Sequence, residues 1–241
     1  MSARASRYEA SRYEESSKHM ALEVETKDCT ALSDGELAEM ADSVTDGPAG
    51  FDIGLLSKQA EEWVLVTQVR DAGRLAGFSF CTLERIGGTP CLLWGLASVG
   101  RRPEGPEVLD ALTADQFRRA VLAFPDEDVL VGTRFIDPGA FAAFAGLEEV
   151  CPRPGHKPSG EERAWARRLA KRFGAEGRVE DRSFVIAGDG AASGVFDFSP
   201  ETGEAAPGLA ELFAPLDRGR ADVLVAFGWA MAEHLAEHYS S

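Results

Sequence analysis

Apolar and polar positions change their period several times along this chain, and each change predicts an element. Met20, Leu22 and Val24 alternate with polar neighbours, the twofold period of a strand. Leu37, Met40, Ala41 and Val44 then fall on one helical stripe. Ser33 and Glu36 stand in front of it at capping-box spacing, with Leu32 and Leu37 as a hydrophobic staple and Gly47-Pro48 as the stop. A second short helix is predicted from Leu55 to Glu61. Three apolar runs follow closely: Trp63 to Arg70, Leu75 to Arg85 and Cys91 to Val99, parted by Asp71-Ala72-Gly73 and by Gly87-Gly88. Connections so short demand an antiparallel meander. Phe78 and Phe80 face one way in the middle run while Cys81 and Leu83 face the other, so helices are predicted over both faces.

Gly100-Arg101-Arg102-Pro103-Glu104-Gly105-Pro106 cannot be regular structure, whereas Val108, Leu109, Leu112, Phe117, Ala120, Val121 and Phe124 describe an amphipathic helix. Val129-Leu130-Val131 reads as a short buried strand and Pro138 to Ala145 as a helix. After a proline-rich loop from Cys151 to Pro158 come a helix over 161–173 and short strands around Phe184–Ile186 and Val195–Phe198. A terminal helix is predicted from about Arg220, with Val223, Leu224, Phe227, Met231 and Leu235 on its packed stripe. That helix either closes the core or forms the contact of a homodimer. The order predicts an α/β (α+β) fold, a mixed and mostly antiparallel sheet flanked by helices on both faces, with an α/β C-terminal extension. Residues 1–18 are a polar tail with a near-repeat, 19–152 a first domain, and 153–241 the extension with its basic and terminal helices.

Charge narrows the function classes. Against 25 Lys and Arg stand 40 Asp and Glu, a net charge of -15 over 241 residues. A surface of that sign repels phosphate backbones, so no nucleic-acid partner is expected. No apolar run is long enough to span a bilayer and no secretory leader is visible, which points to a cytoplasmic protein without a membrane partner. Cys29, Cys81, Cys91 and Cys151 lack the grouping of a zinc site and read as buried thiols; the turn at Gly87-Gly88 sets Cys91 opposite Glu84. Residues 153–182 run against the overall charge, with nine basic and five acidic side chains. The helix there, capped by Ser159 and Glu162, either docks on the acidic body or binds an anion. His234 and His238 have helical ligand spacing but no third ligand, so solvent-facing histidines are expected and no metal.

The element order, with the irregular loop at 100–106 between a strand and a long helix, resembles the GNAT family of acyl-CoA-dependent N-acyltransferases over residues 19–150. The resemblance implies that strand Leu92–Val99 ends beside the pantetheine arm, with Gly95 as a bulge that splays it from its neighbour. It also implies that the loop takes the CoA pyrophosphate on backbone amides at a helix start. Arg102 and Gly105 match the first and middle positions of the family's Gln/Arg-x-x-Gly-x-Gly/Ala pattern, while Glu107 replaces its last small residue and Pro106 removes an amide. Val99, Arg101, Arg102 and Gly105 are the implied cofactor-binding residues. The resemblance implies acetyl-CoA or another acyl-CoA as co-substrate and a small-molecule or peptide amine as acceptor. Glu84 as base and Ser98 as acid or hydrogen-bond partner are the catalytic candidates; their plain readings are a surface carboxylate and a strand hydroxyl. The tyrosine that often protonates the leaving thiolate in the family has no counterpart in Phe141–Leu147. A catalytically inactive GNAT-like binding or regulatory module, working through protein contacts, is the competing expectation.

Overall fold

A computed structural model describes residues 22–43, 51–191, 193–199 and 208–239. The tail, the strand start at Met20, Val44 and the Gly47-Pro48 stop lie outside them. β1 (Glu23–Asp28) leads into α1 (Asp34–Ser43) and α2 (Ile53–Glu62). β2 (Leu65–Asp71), β3 (Arg74–Ile86) and β4 (Thr89–Val99) form the meander, α3 (Gly105–Ala123) crosses over, and β5 (Val129–Phe135) follows. β6 (Glu148–Cys151), α4 (Gly160–Arg172), β7 (Val179–Glu180), β8 (Val185–Ile186), β9 (Phe196–Asp197), α5 (Leu209–Phe213), β10 (Val223–Ala230) and α6 (Ala232–Tyr239) complete the described strands and α-helices, beside three short 3-10 helices. All ten strands belong to one sheet of order β1-β2-β3-β4-β5-β10-β8-β7, with β6 added to β10 and β9 to β4. No described helix is long and apolar enough to cross a membrane.

Local chemistry accounts for most of these elements. The Ser33 and Glu36 capping box is closed in both directions, Ser33 N–H to Glu36 Oε2 at 3.0 Å and Glu36 N–H to Ser33 Oγ at 3.3 Å. The second box, at Ser159 and Glu162, starts α4 in the same way. β3 is buried on both faces between α3 and the α1/α2 pair, and Glu84 stands opposite Cys91 as the glycine turn dictates.

The C-terminal region departs from its helical expectation. Residues 223–230 are the strand β10, paired antiparallel with β5 from Leu224↔Phe135 to Ala230↔Val129. Val223-Leu224-Val225-Ala226-Phe227 is apolar at every position and buried throughout, so a helical stripe can be drawn through it although no period is present. Only Ala232–Tyr239 is helical at this end. Residues 138–144 form a 3-10 helix, capped by Asp137 Oδ1 accepting from Gly139 N–H at 2.8 Å. β6 and β7 went unforeseen, because Glu148-Glu149 and Val179-Glu180 carry no strand signal until a neighbouring edge is available.

One irregularity shapes everything around the centre. β3 and β4 pair at Ser79↔Ala97 and again at Cys81↔Trp94, so Gly95 and Leu96 stand opposite the single residue Phe80. This is a bulge, and it turns β4. Gly95 is required because the Trp63 indole lies over it: a Cβ at this position would come within 2.3 Å of the ring. Trp63 cannot yield, being buried and held by its Nε1–H to Gln59 Oε1 at 3.0 Å. Gly95→Ala is therefore expected to cost about 2–3 kcal/mol by overpacking. Urea unfolding measures it, with Gly160→Ala as control, since nothing lies within 4 Å of that Cβ position and its change should stay near zero.

Candidate functional site: the parting of the central strands

β4 and β5 are parallel neighbours for only three pairs, Cys91↔Leu130, Leu92↔Val131 and Leu93↔Gly132. Immediately after, Thr133 Oγ1 donates to the Trp94 carbonyl at 3.0 Å, and the bulge carries β4 away. The wedge that the sequence led us to expect is present at its root.

It is not empty. β9 enters it from the C-terminal half of the chain and pairs parallel with β4, Ala97↔Phe196 and Ser98↔Asp197. The Ala97 amide donates to the Val195 carbonyl at 3.0 Å, so the inner edge of β4 is satisfied by the protein itself. Phe196 is fully buried, its ring centroid 5.2 Å from that of Trp94 and 6.1 Å from that of Phe135. Phe198 reaches the start of α3, its ring 3.5 Å from where a Cβ on Gly105 would stand. Ser199 Oγ then donates to Asp137 Oδ1 at 2.9 Å and ties this strap to the 3-10 helix.

Asp197 is the polar member of an otherwise apolar plug. It is 3% exposed, and its Oδ1 has no partner among the described residues. Burial pushes its carboxyl up to about 6; the Arg101 charge opposes this and the Asp137 carboxylate adds to it.

The implied cofactor residues surround the wedge mouth without forming a phosphate cradle. Val99 is buried opposite Gly77, and the exposed Arg101 and Arg102 flank the opening. The Arg102 amide donates to the Gly100 carbonyl at 3.0 Å and the Gly105 amide to the Arg102 carbonyl at 2.9 Å, so both close the loop on itself. Pro106 offers no amide and Glu107 places a carboxylate in the first helical turn. Ser98 lies buried between Phe78 and Asp197. Glu84 is elsewhere: Cys91, its partner, precedes Ser98 by seven residues, about 20 Å of strand. Arg172 of α4 holds it there, Nε to the two carboxylate oxygens at 2.8 and 2.9 Å. The structure thus separates the two catalytic candidates, and the basic helix docks on the acidic body through one of them. Phe141 and Phe144 pack on Phe135 at 4.9 and 5.1 Å, with no hydroxyl in the cluster. His234 and His238 stack at 4.2 Å, and no group of three or more metal-ligating side chains occurs among the described residues.

An antiparallel meander, a bulge in its last strand, a helical crossover and a parallel strand that parts from the meander make a GNAT-like arrangement. Solved structures similar to part of the chain include the ribosomal-protein-S18-alanine N-acetyltransferase from Escherichia coli, at 14% identity and TM-score 0.36, over 58% of this chain and 86% of that one. An acetyltransferase of the GNAT family from Streptococcus pneumoniae is similar at 15% identity and TM-score 0.34, over 56% of this chain and 91% of that one. No family model matches the chain, and no curated protein matches it in sequence.

Val195–Phe198 was legible as a strand, and an aspartate between two phenylalanines was the available hint of a special position; nothing in the sequence said which edge the strand would take. The raised Asp197 carboxyl sets a pH dependence whose sign is fixed. The folded state holds the proton more tightly than the unfolded chain, so this contribution is complete below the ordinary aspartate range near 3.8. It is lost as pH rises through about 6. Asp197→Asn should therefore melt above the parent by about 5 °C at pH 8, from a relief of about 2 kcal/mol, and with it at pH 4. A gain of equal size at both values would rule out the buried carboxylate as its source.

Proposed function

We propose that this chain is a GNAT-like module that works by binding and does not transfer acyl groups in its folded state. The observation that carries this reading is the pairing of Phe196 and Asp197 with Ala97 and Ser98. That edge and the space beside it are where the resemblance puts the pantetheine arm. Two further features support the reading: the Arg102 and Gly105 amides are turned into their own loop, and Glu107 stands at the helix start. For acyl-CoA to bind between the strands, Val195, Phe196 and Phe198 would have to leave the core. Exposing them costs about 5 kcal/mol, enough to weaken binding by about 10³-fold or more.

Calorimetric titration with acetyl-CoA and a thermal melt at millimolar ligand test this directly. The expected results are no saturable heat, no rise in melting temperature and no thiol release with polyamine or peptide acceptors. A ligand at ~100 times its Kd would add about 2.7 kcal/mol of stability, which a melt detects easily. Saturable binding with turnover would overturn the reading. In that case Phe196→Ala should bind tighter than the parent, because less of the plug remains to displace.

A further inference from the structure

Arg134 is the strongest unexplained group in the molecule. It sits on β5 two residues past the last pair with β4, on the sheet face that carries α2 and α4, opposite the face into which Phe196 packs. The residue is 8% exposed, and among the described residues its Nε has no partner and no carboxylate comes within 4 Å of it. Burial lowers its pKa to about 10, so the guanidinium is still charged at neutral pH. The Glu62 carboxylate favours that charge from a distance and is itself occupied, accepting from Gln59 Nε2 at 2.9 Å. The ring of Phe173 lies 4.5 Å from the guanidinium carbon, but a ring face replaces only part of the solvation that burial removes.

The residue lines two recesses that meet around it, sharing Arg134, Phe173, Arg178 and Ser193 as walls. The inner one holds ≈ 130 Å³, the space of about four waters at ~30 Å³ each, and its further walls include Ala175, Ile186 and Val223. The outer one opens towards α2, holds ≈ 450 Å³ and carries Lys58, Glu61 and Glu62 of that helix in its wall, so the carboxylate is placed at Arg134 and away from them. Arg178 adds a second positive charge at the rim, partly engaged by the Ala187 carbonyl and Asp189 at 3.3 Å each. Gly194 of the strap passes over the site, where a Cβ would stand 3.3 Å from Arg134 Nη2.

We infer that this recess is a binding site for a small organic acid, its carboxylate paired with Arg134 and its short apolar part in the inner recess. A planar, unpaired fork of N–H donors matches a carboxylate, and the Ala175, Ile186 and Val223 side of the inner recess, away from Asp189 and Ser193, favours a carbon tail over a bare inorganic anion. The strap over the site is the same segment that plugs the wedge, yet the inference does not require the wedge to be closed. It stands or falls on anion binding alone.

The test uses the full chain with sodium butyrate, sodium phosphate and sodium chloride at matched ionic strength, followed by thermal melts and by the ¹⁵N–H resonance of the Arg134 Nε. Butyrate is expected to raise the melting temperature more than phosphate or chloride and to shift the Arg134 signal with a saturable curve. Arg134→Met should weaken that response roughly tenfold or more, while melting above the parent in chloride alone because it removes an unpaired buried charge. Arg134→Lys keeps the charge without the fork and should also lose the response. Should Arg134→Met fail to fold, the side-chain resonance of the parent protein still decides the question. Equal butyrate responses in parent and variants, no shift of the Arg134 signal, or a larger response to phosphate than to butyrate would each overturn the inference. Acetyl-CoA run alongside reports on the wedge separately.

Discussion

A strand that leaves its neighbour inside a sheet exposes a row of amides and carbonyls to a space that water fills poorly, and those groups must find partners. β4 is in this position. Its bulge at Gly95 and Leu96, where the Trp63 indole leaves room only for glycine at position 95, turns it from β5 after only three pairs. A ligand able to accept and donate hydrogen bonds could close such an edge, and so could a piece of chain. Here the closing piece is Val195 to Phe198, which supplies a carbonyl to Ala97 and three apolar side chains to the gap. The backbone requirement is met from within, and the aromatic cluster of Trp94, Phe135, Phe144 and Phe196 becomes continuous across the parting.

The polar groups caught in this closure carry its cost. Asp197 is drawn under with a carboxylate oxygen unpartnered among the described residues, and Arg134 is drawn under beneath Gly194 of the same strap with its Nε likewise unpartnered. A buried unpaired ion costs far more than a surface ion pair returns, so these two sites outweigh the ion pairs of the exterior. The Arg172–Glu84 contact is an example of the latter: both side chains keep more than a quarter of their exposure, and the pair is worth at most about 1 kcal/mol. Its importance is geometric, because it fixes the end of α4 on the meander and so sets Phe173 beside Arg134.

Much of the architecture was written locally. Capping boxes at Ser33 and Ser159 fixed two helix starts, the glycine turns fixed the meander and the Glu84–Cys91 register, and Gly95 marked its bulge before any coordinates. These features depend on contacts within a few residues or across a tight turn, where spacing and side-chain type suffice. Residues 223–230 show the limit of such reading. In a segment apolar at every position both periods fit, and the decision fell to β5, whose free edge accepts a strand and could not accept a helix.

The candidate site divides along the same line. Sequence alone determined that a strand, a glycine-marked bulge, an irregular loop and a long helix would meet near Val99 and Gly105, and that the loop was poor in usable amides. It also gave Val195–Phe198 its extended conformation. That this short strand lies against Ala97 and Ser98, that Glu84 is spent on Arg172, and that Arg134 has no counter-ion among the described residues were decided only by the tertiary structure. Each depends on partners roughly 40 to 100 residues away, and a chain's local preferences contain no information about which distant edge or charge will be free to receive them.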